Sequence, residues 1–153
     1  MLNYSEVAIS PLEVPEELSI CIYISGCQNH CKDCHYPELR RYDYGDPLLP
    51  NLSNIVDVYL QQATCVCFMG EGQERDRHQL IEANKYIKKR GLKTCLYSGR
   101  DVTIEEWMKV FNYIKIGSFQ KDKGPLYSKK TNQRLYKLAG DDDKAEDITY
   151  LFW

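Results

Sequence analysis

The stretch "TCVCFMGEGQERDRHQLIEANKYIKKRGLKTCLYSG" (Thr64–Gly99) decides how the chain folds. It opens on a short apolar run closed by Gly70, which reads as a strand. Residues 77–91 then read as a helix with a basic last turn and a glycine stop. Leu92–Gly99 is a second apolar strand that ends in Ser98 and Gly99. Strand, helix and strand in that order predict a βαβ unit, whose two strands run parallel and are joined by a right-handed crossover.

The same rhythm extends outward. Toward the N-terminus, "LSICIYIS" (Leu18–Ser25) reads as a strand, and "NLSNIVDVYLQQ" (Asn51–Gln62) carries Ile55, Val56, Tyr59 and Leu60 at helical spacing. Toward the C-terminus, "TIEEWMKVF" (Thr103–Phe111) predicts a helix opened by a threonine cap with a capping-box glutamate. "YIKIG" (Tyr113–Gly117) and "NQRLYKL" (Asn132–Leu138) predict strands. "GDDDKAED" (Gly140–Asp147) reads as a solvated acidic turn, and "ITYLFW" as an apolar terminus docked on the body. The pattern is α/β with helices on at least one face of a parallel sheet. It puts "SGC", "MGEG", "YSGR" and "IGSFQ" at strand C-terminal ends, where parallel sheets gather functional residues. Glycine there lets the backbone approach a ligand or take positive φ, although it also simply ends strands.

Length and composition set outer bounds. A chain of 153 residues fits a single domain, 1–153. With 43% hydrophobic and 27% charged residues it is globular, and its net charge of −2 offers nucleic acid no general attraction. The longest apolar runs, "ICIYI" and "CVCFM", fall far short of the roughly 20 residues of a membrane span. "MLNYSEVAISPLEVPEEL" lacks the features of a secretory signal, so the expected location is the cytoplasm.

A reducing compartment disfavours structural disulfides, so the seven cysteines point to metal binding, catalysis or burial. Cys21, Cys65, Cys67 and Cys95 sit in apolar strands and read as small buried hydrophobes. Cys27, Cys31 and Cys34 stand apart in the polar loop "GCQNHCKDCHYPEL" (Gly26–Leu39), spaced C-x3-C-x2-C. Structural zinc prefers four ligands in two separated pairs, so a zinc site needs His30 or His35 as the fourth ligand. A four-iron cluster held by three thiolates instead keeps one iron open for chemistry. His78 reads as a surface residue, "IKKR" and Lys129-Lys130 as charged faces, and "TNQR" (Thr131–Arg134) either as part of an activation surface or as a turn before a strand.

The cysteine loop after the first strand, with a glycine/acid turn after the second, resembles the radical S-adenosylmethionine (SAM) superfamily. The stretches "FMGEG", "YIKIGSFQKDKGPL", "TNQRLY" and "EDITYLFW" look like those of glycyl-radical-enzyme activases, in particular the activases of anaerobic ribonucleoside-triphosphate reductase. The resemblance implies a partial (βα) barrel with a mostly parallel sheet, open on one side to a partner loop. It implies a [4Fe–4S] cluster on Cys27, Cys31 and Cys34, whose fourth iron is chelated by SAM, and an oxidoreductase that cleaves SAM reductively to place a radical on a partner glycine. The cluster and cofactor carry the chemistry, with no further catalytic side chain. Gly70 and Glu71 are implied at the methionine moiety, the backbone at Asp33, Cys34 and His35 along the adenine, and Ser98 at the SAM carboxylate. Asp33 replaces the aromatic residue often found before the third cysteine, so stacking on adenine must come from elsewhere, with Tyr36 one candidate, and Met69-Gly70-Glu71-Gly72 fits the usual turn in either of two registers. The implied partners are the glycyl-radical subunit of that reductase and a flavodoxin- or ferredoxin-type electron donor. A different glycyl-radical partner, a small-molecule substrate and a non-catalytic zinc module are the alternatives.

Overall fold

The computed structural model describes residues 1–26, 41, 43–138 and 144–153. Cys27, His30, Cys31, Asp33, Cys34, His35 and Tyr36 lie outside the described residues, as do residues 140–143 of the acidic run.

Strand β1 (Asn3–Ser10) pairs antiparallel with β2 (Ser19–Ile24), and its first residues pair with the two-residue β3 (Asp46–Pro47). Next to β2 lie β4 (Cys65–Met69), β5 (Lys93–Tyr97) and β6 (Tyr113–Ile116), each parallel to its neighbour. Strands β7 (Arg134–Leu138) and β8 (Ala145–Asp147) extend the far side antiparallel. One eight-stranded sheet results, ordered β3-β1-β2-β4-β5-β6-β7-β8.

This corrects the expected partial (βα) barrel with a mostly parallel sheet. The parallel part is confined to β2, β4, β5 and β6, antiparallel strands flank it on both sides, and the described residues form two α-helices. One cause lies in "TIEEWMKVF", which forms only a 3-10 segment, Glu106–Val110. Glu105 is extended (φ −84°, ψ 154°), and its carboxylate accepts from Arg100 and from Trp107 Nε1 (2.9 Å). Glu106 pairs with Lys109 (2.8 Å) instead of closing a capping box. After β6 the chain returns without a helix, so β7 must run antiparallel. Strand β1 was not anticipated, and Ala145–Asp147 of the presumed acidic turn is a strand edge.

Helices α1 (Leu48–Tyr59) and α2 (Arg77–Lys89) cover one sheet face. Leu48, Leu52, Ile55 and Val56 of α1, and Leu80, Ala83 and Ile87 of α2, form stripes at helical spacing. They bury Ile20, Ile22, Ile24, Val66, Phe68, Leu96 and Ile114 beneath them. Phe68 meets Phe111 edge to face, with centroids 6.1 Å apart. Among the described residues no helix is long and apolar enough to cross a membrane.

The other face is built differently. Alternation along the strands puts Cys21, Cys67, Cys95 and Tyr113 in one register row and Tyr23, Met69, Tyr97 and Lys115 in the next. Cys21, Cys65, Cys67 and Cys95 are all buried and unpaired, as their apolar surroundings predict. The apolar terminus docks on this side. Ile148 and Thr149 are buried, Thr149 Oγ1 accepts from Leu135 N (2.9 Å), and Trp153 Nε1 donates to Leu126 O (3.1 Å).

Burial pushes the Cys65 thiol up to about 12 and also raises Cys67 and Cys95, while Cys21 is raised first by its hydrogen bond with Cys67 and then by burial. Because these folded values exceed the unfolded thiol value of about 8.5, their contribution is complete below that pH and is lost as pH rises above it. Denaturation midpoints should fall between about pH 8.5 and 12, by up to about 1.4 kcal/mol per pH unit per thiol. A Cys65→Ala variant should lose part of that alkaline slope, and an unchanged slope would contradict the assignment.

Candidate cofactor site at the parallel strand ends

Because β2, β4, β5 and β6 run in one direction, the segments after them meet at one edge of the sheet. Ser25 and Gly26 lead from β2 into the cysteine loop, and "GEG", "SGR" and "GSF" leave the other three strands. Backbone bonds hold these exits in order. Gly70 N donates to Tyr97 O (3.0 Å), Ser98 N to Lys115 O (2.8 Å) and Gly117 N to Arg100 O (2.9 Å).

The glycine/acid turn packs on the strand that feeds the loop. Gly72 takes φ +70°, and a Cβ there would lie 2.6 Å from Leu2 Cδ1 and 3.4 Å from Ser25 O. Gly70 takes φ +115°, so any side chain there is strained even though its nearest neighbour, Ile24 O, would be 3.4 Å away. A Gly70→Val variant therefore reports backbone strain as well as ligand access.

The cysteine loop has a defined neck. Ser25 Oγ donates to Tyr44 O (2.6 Å), and Ser25 N donates to Asn3 O (2.9 Å). Gly45, at φ +86°, crosses β1 so closely that a Cβ would stand 2.0 Å from Tyr4 O. The chain then enters β3 and α1, with Leu48 N donating to Leu2 O (2.9 Å).

Of the candidate side chains, the fold brings Glu71 and Ser98 together. Ser98 is wholly buried, and its hydroxyl donates to Glu71 Oε2 (2.5 Å) rather than toward open space. Arg100 grips the same carboxylate with both arms of its fork, Nε to Oε2 (2.9 Å) and Nη2 to Oε1 (2.7 Å). The side chain of Glu71 is 12% exposed. Its two carboxylate neighbours, Glu71 first and then Glu105, raise the Arg100 guanidinium above its ordinary value. In return Arg100 holds Glu105 below the usual carboxylate range.

A cavity of about 800 Å³ opens on the sheet face opposite α1 and α2. Met69, Tyr97, Lys115 and Gln133 line it, together with Leu126 and Phe152. Its volume falls in the roughly 300–1,000 Å³ range of small-molecule sites. Gly70, Glu71 and Ser98 are not among its lining residues; Met69 and Tyr97, their chain neighbours, are. Lys115 is 7% exposed, with Nζ donating to Gly117 O (2.7 Å) and Ser98 O (3.3 Å). The Tyr97 hydroxyl donates to Glu13 O, and burial pushes its ionisation well above the usual tyrosine range.

Sequence reasoning missed Arg100 and Lys115. Lys115 had a signal, since it shares the face of Tyr113 in "YIKIG" rather than that of Ile114 and Ile116. "TNQR" is explained as a turn: Thr131 Oγ1 accepts from Gln133 N (3.0 Å), and Asn132 Nδ2 donates to Ser118 O (3.0 Å). His78 is exposed. Among the described residues no group of three or more His, Cys, Asp or Glu could hold a metal ion. The three-thiolate loop is the donor set whose chemistry fits a [4Fe–4S] cluster.

The profile of a family described as a 4Fe-4S single cluster domain matches residues 16–136, from before β2 into β7. No curated protein and no solved structure matches the chain.

Proposed function

The chain belongs to the family of 4Fe-4S single cluster domains, and we propose that it uses its [4Fe–4S] cluster as a radical SAM activase, cleaving SAM reductively to generate a glycyl radical on anaerobic ribonucleoside-triphosphate reductase. Cys27, Cys31 and Cys34 would hold three irons. Once reduced by an electron donor, a cluster held that way would supply an electron and one open iron for the amino-acid end of SAM.

The observation that carries this reading is the convergence at one edge of the two chain ends that flank the cysteine segment, tied through Ser25 and Tyr44, with a glycine/acid turn packed on the first of them and a cavity on the same sheet. Glu71 is a fixed acceptor for the SAM ammonium, and glycine at positions 70 and 72 supplies the positive φ that folds the turn around it. Asp33, Cys34 and His35 would supply the adenine side. Met69 and Tyr97 give the cavity apolar surface, and the Tyr97 hydroxyl is engaged by Glu13 O, which ties up a hydrogen donor near the reacting carbon.

The choice of partner rests on the resemblance of "TNQRLY" and "EDITYLFW", and their packing supports it. The two stretches meet through Leu135 N and Thr149 Oγ1, Arg134 pairs with Asp147 (3.7 Å), and Gln133 and Phe152 both border the cavity. They form a wall against which a partner loop could complete the site. Flavodoxin or ferredoxin is the proposed electron donor, and the cytoplasm the proposed location.

The test is anaerobic mixing of reconstituted protein with reductant, SAM and the reductase. Methionine and 5′-deoxyadenosine should form, with an EPR doublet that collapses when the target glycine is deuterated at Cα. Activation of a different glycyl-radical enzyme would overturn the named partner. Deuterium exchange into a small molecule without protein activation would replace the activase reading, and no SAM cleavage at all would end both.

A further inference from the structure

We propose that Arg100 is a positioning residue, which aims Glu71 at the ammonium group of an α-amino-acid ligand. The inference rests on the SAM reading above and names the device by which that site selects the amino-acid end of its ligand.

The argument is a count of donors and acceptors. Each carboxylate oxygen of Glu71 offers two lone-pair sites. Oε2 is filled by Ser98 Oγ and Arg100 Nε, whereas among the described residues Oε1 accepts only from Arg100 Nη2. The described residues therefore leave one acceptor site on Oε1 open in an otherwise fully engaged carboxylate. That is the provision for a single N–H donor.

Arg100 itself has little left to offer a ligand. Of its five N–H groups, Nε is on Glu71, Nη2 serves both Glu71 and Glu105, and Nη1 reaches Glu105 Oε2 (3.4 Å). The fork that could seize a ligand carboxylate is occupied, so Arg100 acts through Glu71. It is also anchored from behind. Glu105 is fixed by Trp107 Nε1 (2.9 Å), Arg77 lies over the Trp107 ring at 4.2 Å, and the Arg100 backbone is tied to Ser98 Oγ (3.2 Å) and Gly117 N (2.9 Å). The failed helix 103–111 has this use: the extended Glu105 buttresses the arginine.

Equilibrium binding of SAM and of 5′-methylthioadenosine to the anaerobic holoprotein tests the proposal. Arg100→Ala should weaken SAM by on the order of tenfold or more, as losing charge-assisted bonds does. Glu71→Gln should do the same, and the Arg100→Ala/Glu71→Gln double variant should be no weaker than Glu71→Gln alone within about twofold, because the two act as one unit. 5′-Methylthioadenosine has no amino-acid group and should bind all of them equally. Arg100→Lys keeps the charge and the fold but not the fork, so it should restore only part of the loss. Additive losses, full rescue by lysine, or an equal loss of 5′-methylthioadenosine would each overturn the role. If the wild-type holoprotein fails to bind SAM at all, the SAM reading itself falls, and this inference with it.

Discussion

Replacing Cys27, Cys31 or Cys34 singly by alanine should abolish the cluster, leaving anaerobically reconstituted protein with far fewer than the about four irons per chain expected of this cluster type. With only three thiolates in the loop, no spare ligand stands in for a lost one. The described remainder of the chain cannot substitute, because it brings no three His, Cys, Asp or Glu side chains into a metal-holding arrangement. Cys67 and Cys95 are wholly buried in the sheet, and both are held protonated by desolvation. Cys65→Ala and Cys95→Ala should therefore keep full iron content and the broad charge-transfer absorbance, losing only the stability of a small buried side chain. Iron loss in either would overturn the ligand assignment, as would retention of a full cluster in any of the three loop variants.

The second large effect is expected at Gly45, where the loop returns to the sheet. An alanine Cβ would sit 2.0 Å from Tyr4 O and 2.7 Å from Tyr4 C, both backbone atoms of β1, in a residue already at φ +86°. Positive φ alone costs a non-glycine residue about 1–3 kcal/mol. Relieving the overlap must further pull Tyr44 from Ser25, or β1 from β2. For a chain of this size, about 3 kcal/mol lowers the thermal midpoint by roughly 6–12 °C. Gly91→Ala is the internal reference, because Gly91 has φ +81° but no atom within 4 Å of the added Cβ. It should cost only about 1 kcal/mol. Melting curves that put Gly45→Ala at or above Gly91→Ala would remove the neck from the account of how the loop is held.

Local periodicity carried most of the central architecture. Residues 64–99 read as strand, helix and strand and form β4, α2 and β5, because glycine stops and apolar spacing act over a few residues. What escaped was decided at long range. Strand β1 gains its place by pairing with β2 and receiving Gly45 across it, and neither partner is visible in "NYSEVAIS". "TIEEWMKVF" has the letters of a helix start, yet Glu105 is drawn to an arginine and a tryptophan. Within the site, the chemistry-bearing letters Glu71 and Ser98 stood out beside glycines. Arg100 did not, because its role exists only once two strand exits are brought side by side. The family match agrees with the iron–sulfur reading of the cysteine spacing, whereas the barrel expected by resemblance gave way to antiparallel flanks.

The separation of the cysteines into a loop set and a buried row bears on recovery from oxygen. Air destroys exposed iron–sulfur clusters and oxidises thiolates, but thiols that stay protonated and shut from solvent react slowly. Cys21, Cys65, Cys67 and Cys95 meet both conditions. Cysteine oxidation should therefore fall on Cys27, Cys31 and Cys34, to which the buried cysteines of the described residues offer no accessible disulfide partner. A chain stripped of its iron should need only mild thiol reduction before iron and sulfide are returned, so the protein is built to be repaired in place rather than refolded.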